Sequence, residues 1–427
     1  MPWKRAVGRV LLVASVALTG FMGSTHPHGE GAVGPRGGGR GPTTLATAGD
    51  LTGYLRPLLE DWNRERPGEK VTLVELPDST DEARSQMITD LRSGQGRYDI
   101  LNIDVAWTSE FAAAGWIAPL EPDRFALDTF LPPVVGTATY AGRLYAVPYV
   151  TNAGMLYYRK DLLEREGERP PRTWAELERQ ARTVAPKYGV GGYAGQFLPY
   201  EGLTVNAAEM VYSAGGSILG DEGERVTVDS PAARAGIGVL ARGVRDGWIP
   251  EAALTFKEEE SRRAFQDGRL LFARNWPYAF AGASGRESKV AGKFGVVPLP
   301  GIDGPGTSVL GGSSLAVGTH ARYPASAKDL IAHLTGEPVQ RRVLTEGSLP
   351  PVRASLYEDP ELVRRFPYLP ALRASVVSAA PRPKSPRYEQ VSLVVQAVTH
   401  DAMAQHQGPG AAVRRLADEL AALTRRG

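Results

Sequence analysis

The stretch TTLATAGDLTGYLRPLLEDWNRERPGEKVTLVELPDSTDEARSQMITDLRSGQGRYDILNID, from Thr43 to Asp104, alternates between two hydrophobic periods. Thr43 to Ala48, Val71 to Leu76 and Tyr98 to Asp104 are short runs rich in aliphatic and β-branched residues, and they predict strands. Between them, Leu51 to Arg66 and Asp81 to Ser93 repeat at helical spacing. In the first of these, Leu51, Leu55, Leu58, Leu59 and Trp62 share a face, Asp50 is the expected N-cap, and Pro57 predicts a kink. A βαβαβ succession implies a mostly parallel sheet with helices on both faces.

Further along, Arg143 to Val150 and Gly154 to Lys160 open a second alternation. It continues through helical stretches at 173–184, 204–214, 231–246 and 258–267, and strand-like runs at Leu270 to Asn275, Gly295 to Pro300 and Ser313 to Val317. A chain of 427 residues exceeds the ~250–300 at which one core stops growing, so two α/β lobes are expected. They fall at 43–150 and 151–310; part of 310–375 rejoins the first, and helices in 376–427 close the hinge and cleft. No repeat of 20–50 residues appears, which argues against a solenoid or propeller.

Lys plus Arg number 49 against 47 Asp plus Glu, too balanced for a nucleic-acid binder. The absence of cysteine excludes disulfides, thiolate nucleophiles and zinc–thiolate sites. Lys4, Arg5 and Arg9 precede an apolar run from Val10 to about Met22, the pattern of an export signal at 1–24. That run is shorter than the ~20 residues a membrane span needs. Leu18-Thr19-Gly20 resembles the opening of a lipoprotein box, but Phe21 stands where the box needs its lipidated cysteine. HPHGEGAVGPRGGGRGP, from His26 to Pro42, is too poor in apolar residues to offset its ordering entropy, so 25–42 reads as a flexible tether. His26 and His28 read as a solvated tail rather than metal ligands.

Ligands of open α/β sheets bind beyond the carboxyl ends of the strands. Asp104 closes its strand just before Trp107. Its carboxylate is suited either to accept from vicinal hydroxyls or to cap a helix starting near Thr108. Asn275-Trp276-Pro277-Tyr278 follows a strand, and its two rings either cover the apolar face of a pyranose or pack in the core. Gly311-Gly312-Ser313-Ser314 either admits a ligand to backbone N–H groups or makes a turn. Arg382, in the stiff run Pro381 to Tyr388, offers a donor fork or simply sits in a loop before a helix. No P-loop, G-x-S-x-G elbow or H-E-x-x-H motif is present, and the Gly-rich stretches are not dinucleotide fingerprints.

Together these residues resemble the extracellular solute-binding proteins of sugar importers, and within them the trehalose/maltose-binding branch. The runs that carry the resemblance are Tyr98 to Trp107, Phe111 to Ile117, Asn152 to Leu163, Tyr200 to Leu203, Asn275 to Ala279 and Pro381 to Pro383, within residues 43 to 425. The resemblance implies a two-lobe clamshell of the periplasmic-binding type that closes on a small sugar. Arg84 and Asp104 would touch the sugar from the first lobe; Asn152, Glu201, Trp276, Tyr278, Gly312 and Arg382 would do so from the cleft and second lobe. It also implies separate permease subunits as partners, a monomer, an extracytoplasmic location, and neither cofactor nor catalysis. Two departures bear on the sugar's identity more than its class: Asn152 stands where some relatives have Asp, and Ser313 where some have a stacking Trp.

Two alternatives stand beside that reading. A secreted hydrolase would need two of Asp104, Glu201 and their neighbours facing each other at roughly 5–9.5 Å. A sensory module would present the closed form to a receptor instead of a permease.

Overall fold

Two sheets organise the molecule. A computed structural model describes residues 39–425 apart from 49–52, 78–79, 221–222 and 224. The signal at 1–24 and most of the 25–42 segment lie outside these, as do Asp50 and Leu51. The strands of these two sheets are β1 (Thr43–Ala48), β2 (Val71–Leu76), β3 (Ile100–Asp104), β4 (Ala146–Ala153), β5 (Met155–Arg159), β6 (Gly191–Ala194), β7 (Leu270–Asn275), β8 (Phe294–Pro298) and β9 (Leu310–Val317).

The first sheet has the order β2-β1-β3-β9-β4, the second β8-β5-β7-β6. Both are mixed, which corrects the expectation of a mostly parallel sheet. β1 runs parallel to β2 and β3, but β9 is antiparallel to both β3 and β4. In the second sheet only β6 and β7 are parallel. The reason is connectivity: β9 enters the first sheet from the second, so it arrives from the opposite end.

The chain passes between the lobes at Gly154, along 299–309, and along 378–387. β4 holds its place in the first sheet up to Ala153, so the passage lies at Gly154, three residues beyond the expected 150/151 boundary.

Helix α1 (Leu55–Glu65) buries Leu55, Leu58, Leu59 and Trp62 on the expected face. It starts at Leu55, not Leu51, with Tyr54 in the N-cap position. Pro57 therefore falls in the first turn, where a missing N–H breaks no intrahelical bond and no kink is required. The expected tether also ends early. Arg40 pairs with Glu69 at 3.0 Å and Asp329 at 2.7 Å, and the Gly41 N–H donates to Ser326 at 3.0 Å, so the chain is fixed before Thr43.

Further helices that matter for the site are α2 (Thr80–Ser93), α3 (Glu201–Ser213), α4 (Pro231–Arg245), α5 (Glu258–Gln266), α6 (Tyr388–Met403) and α7 (Pro409–Thr424). The C-terminal pair α6 and α7 packs against α3 and α4 of the second lobe. Val391, Val395, Val398, Val413, Leu416 and Leu420 are buried there, each contributing about 1.5–3 kcal/mol by leaving water. Among the described residues, no helix is long and apolar enough to cross a membrane.

Candidate ligand-binding cleft

Between the lobes lies a cleft of about 590 Å³. The first lobe contributes Asp104 from the end of β3, Asn152 from β4, and Gly311 to Ser313 from β9; the second contributes Tyr200, Glu201, Lys257, Glu258, Trp276 and Tyr278. Arg382 enters from the third passage. Asp104 and Trp276 both sit where a strand ends, as the strand-end rule expects.

The polar side is built around Arg382, only 7% exposed. Its Nη1 donates to Glu201 Oε1 at 2.8 Å and its Nη2 to Asp104 Oδ1. Burial opposes the charge on this guanidinium, but the carboxylates of Asp104 and Glu201 outweigh it and hold its pKa above the usual arginine range. Glu201 also accepts from the hydroxyls of Tyr388 and, at 2.5 Å, Ser392. Burial pushes the Tyr388 phenol well above its ordinary value.

Asp104 Oδ1 takes the N–H of Ala106 at 2.8 Å, a local turn bond. The helix Thr108–Ala113 has no side-chain cap, so the capping alternative for Asp104 fails. The expectation that a helix starts near 204 also shifts: α3 begins at Glu201, which puts that carboxylate at a helix N-terminus, where the dipole favours negative charge.

The apolar side is Trp276 and Tyr278. Tyr157 donates to the Trp276 carbonyl at 2.8 Å and fixes the turn that presents both rings. Trp276 is half-buried, against the Arg274 guanidinium, whose carbon lies 4.0 Å from the ring centroid. Tyr278 is 37% exposed and donates to Glu259 at 3.0 Å. Burial, then the Glu259 charge, pushes its phenol upward.

Gly311 and Gly312 lie inside β9, not in a turn, which corrects that alternative. A Cβ on Gly311 would come within 3.0 Å of the Trp276 ring; one on Gly312 would come 2.1 Å from the Val150 carbonyl oxygen. Gly312 has φ +110°, a conformation side chains rarely adopt.

Arg84 is not in this cleft. It projects from α2 into an adjoining cavity of about 230 Å³ that shares Asp104, Tyr200, Glu201 and Arg382 with the cleft. There it donates to Glu110 at 2.5 Å and Glu389 at 2.9 Å. Tyr200, which the sequence marks only as part of the Tyr200 to Leu203 run, and Lys257 and Glu258, which it does not mark at all, also line the cleft. The Tyr200 hydroxyl donates to Glu258 at 2.6 Å, and the Lys257 ammonium lies 5.4 Å from the Tyr200 ring centroid. All three sit at helix starts, a signal the strand-end rule does not cover.

A family model described as bacterial extracellular solute-binding protein matches residues 48–341. The chain belongs to that family. A probable ABC transporter-binding protein of Deinococcus radiodurans is 33% identical to this solute-binding protein over 375 residues, 85% of this chain and 89% of that one. Among solved structures, maltose-bound MalE3 of T. maritima aligns with a TM-score of 0.80 at 35% identity, covering 90% of this chain and 99% of that one. The GacH receptor of Streptomyces glaucescens, solved unliganded and with acarbose, aligns with a TM-score of 0.78 at 24% identity over 90% and 99%, a likeness of fold alone. This solute-binding protein thus has the two-lobe α/β architecture of solved sugar-binding proteins.

Proposed function

We propose that this solute-binding protein closes its cleft on a small sugar outside the cytoplasm and hands it to the permease of an ABC importer. One observation carries the reading: across about 590 Å³, the aromatic wall of Trp276 and Tyr278 accompanies the hydrogen-bonding set Asp104, Asn152, Glu201 and Arg382. Pyranose rings have that duality, with apolar C–H faces and a hydroxyl periphery. The maltose bound to the 35%-identical MalE3 and the cleft volume favour a disaccharide such as maltose or trehalose.

In this reading Asp104, Glu201 and Asn152 accept from hydroxyls, Arg382 donates, and Gly312 lets the ligand approach the β9 backbone. Arg84 reaches the ligand only through the adjoining cavity, past Asp104. A ligand touching both lobes shifts the population toward the closed form, which docks on the permease as a monomer. The leader read at 1–24 supplies export.

No catalysis is assigned. A glycosidase acid must present a proton to the leaving oxygen. Here Asp104 Oδ1 and both Glu201 oxygens are already occupied as acceptors from Arg382, Ala106, Tyr388 and Ser392.

Calorimetric titration of the chain from about residue 39 with maltose, trehalose, sucrose and their monosaccharides tests this. Saturable binding of one sugar recovered unchanged is expected. A folded sample silent to the whole panel, or one that cleaves the sugar, refutes the proposal.

A further inference from the structure

The three passages between the lobes meet at one place. The Ser308 hydroxyl donates to the Gly154 carbonyl at 2.5 Å, tying the first passage to the second. Ala380 N donates to Ser308 O, and Leu310 N to Ala380 O, both at 2.9 Å, which adds the third.

Against this junction lies an ion pair that the cleft itself does not use. Arg274 on β7 is 1% exposed and Glu209 on α3 is 2% exposed. Their contact is a fork: Arg274 Nε to Glu209 Oε2 at 2.8 Å, and Nη2 to Oε1 at 2.6 Å. Arg274 Nη1 donates to Gln196 at 3.0 Å. The pair also touches both of the first two passages. Glu209 Oε1 accepts from Val309 N at 3.3 Å. A Cβ on Gly154 would come 2.3 Å from Glu209 Oε1 and 2.6 Å from Arg274 Nη2, so the first passage runs against the pair with no space for a side chain. The same guanidinium carbon lies 4.0 Å from the centroid of the Trp276 ring.

A buried ion pair is weak evidence for stability, since apolar residues of similar volume often do as well. Its distinctive property is geometry. The bidentate fork fixes the guanidinium plane, and a fixed plane against an indole fixes the ring.

We propose that the Arg274–Glu209 pair is a positioning element that ties the orientation of the Trp276 ring to the interlobe junction at Gly154 and Ser308–Val309. The inference rests on the sugar reading of the cleft and deepens it: the ring that meets the ligand and the backbone that bends on closure share one rigid contact. A sugar that seats the ring favours one arrangement of the junction, and a loosened junction blurs the ring.

The test uses Arg274→Lys, which keeps the charge but loses fork and plane, and Glu209→Gln, which keeps the shape but loses the charge. The chain has no cysteine, so cysteines introduced at the exposed Thr72 and Lys289 carry a dye pair reporting interlobe distance. Maltose affinity and the ligand-induced change in Trp276 emission, taken by difference from Trp276→Phe, complete the readout. Both variants are expected to bind maltose about tenfold more weakly, to broaden the interlobe distance distribution, and to lose most of the Trp276 emission change.

A lowered melting temperature with wild-type affinity, distances and emission means a merely structural pair and overturns the proposal. If Arg274→Lys does not fold, Glu209→Gln decides; if neither folds, Trp276→Phe must shift the ligand-free distance distribution, or the coupling is refuted. If the wild type binds no sugar, the reading of the cleft fails by itself. Ligand-free distances then judge the junction separately: variants identical to wild type overturn it.

Discussion

Replacing Arg382 by Met removes the one cation that Asp104 and Glu201 share. In the native protein the guanidinium is 5% exposed at its side chain, while the two carboxylates keep 23% and 29% of their surface. Taking one partner from a buried ion pair costs about 3–5 kcal/mol, because the remaining charge is left uncompensated. Here water recovers part of that through the partly open carboxylates, so the lower end applies, about 3 kcal/mol. At ~2.1 cal/mol/K per residue, roughly 390 folded residues carry an unfolding entropy of about 0.8 kcal/mol/K. The melting temperature should therefore fall by about 4 °C, read by scanning calorimetry without ligand. Arg382→Lys, which keeps the charge but not the fork, should lose less. An unchanged melting temperature in Arg382→Met would refute the claim that this network holds the two lobes' carboxylates together.

Trp276→Ala should weaken binding of the sugar that the titration identifies by about 2 kcal/mol, roughly 30-fold, by calorimetry; a folded variant with native affinity would end the stacking role. Gly312→Ala should lose about 3 kcal/mol or more, since φ +110° and the Val150 carbonyl both exclude a Cβ; a native melting temperature would contradict this. Glu168 is held at about 2 by hydrogen bonds from Arg179 and Gln180. An unfolded glutamate titrates near ~4.3, so the stabilisation is complete above that value and is lost as pH falls toward 2. Arg179 is half-exposed and screening limits the effect to about 1 kcal/mol. In urea titrations Glu168→Gln should thus be less stable than wild type near pH 7, with the gap shrinking from about pH 4.5 downward; a gap that does not change with pH would contradict the pairing.

The strand at Leu270–Asn275 is legible residue for residue, because the apolar run Leu270 to Ala273 between the breakers Gly268 and Pro277 is too short for a helix. Trp276 and Tyr278 follow a strand end, and strand ends meet clefts, but their sequence alone leaves open whether the rings face a sugar or the core. The start of α3 was not. Pro199 and Gly202 discourage a helix locally, yet burial of Leu203 and Val205 carries the helix back to Glu201. Arg84 lies in the adjoining cavity because Glu110 and Glu389, 26 and 305 positions away, pair with it there, and local sequence does not record pairings across such distances.

By itself, the sequence determined the α/β alternation and the two-lobe size, because each depends on local period or on length, and the family through the resemblance carried by runs such as Asn152 to Leu163. Only the tertiary structure decided that β9 inserts antiparallel between β3 and β4, and that Asp104, Glu201 and Arg382 converge on one buried guanidinium. Strand pairing and charge pairing across distant segments depend on where the chain returns in space. Hydrophobic periodicity records which side of an element faces inward, but not which partner it meets there.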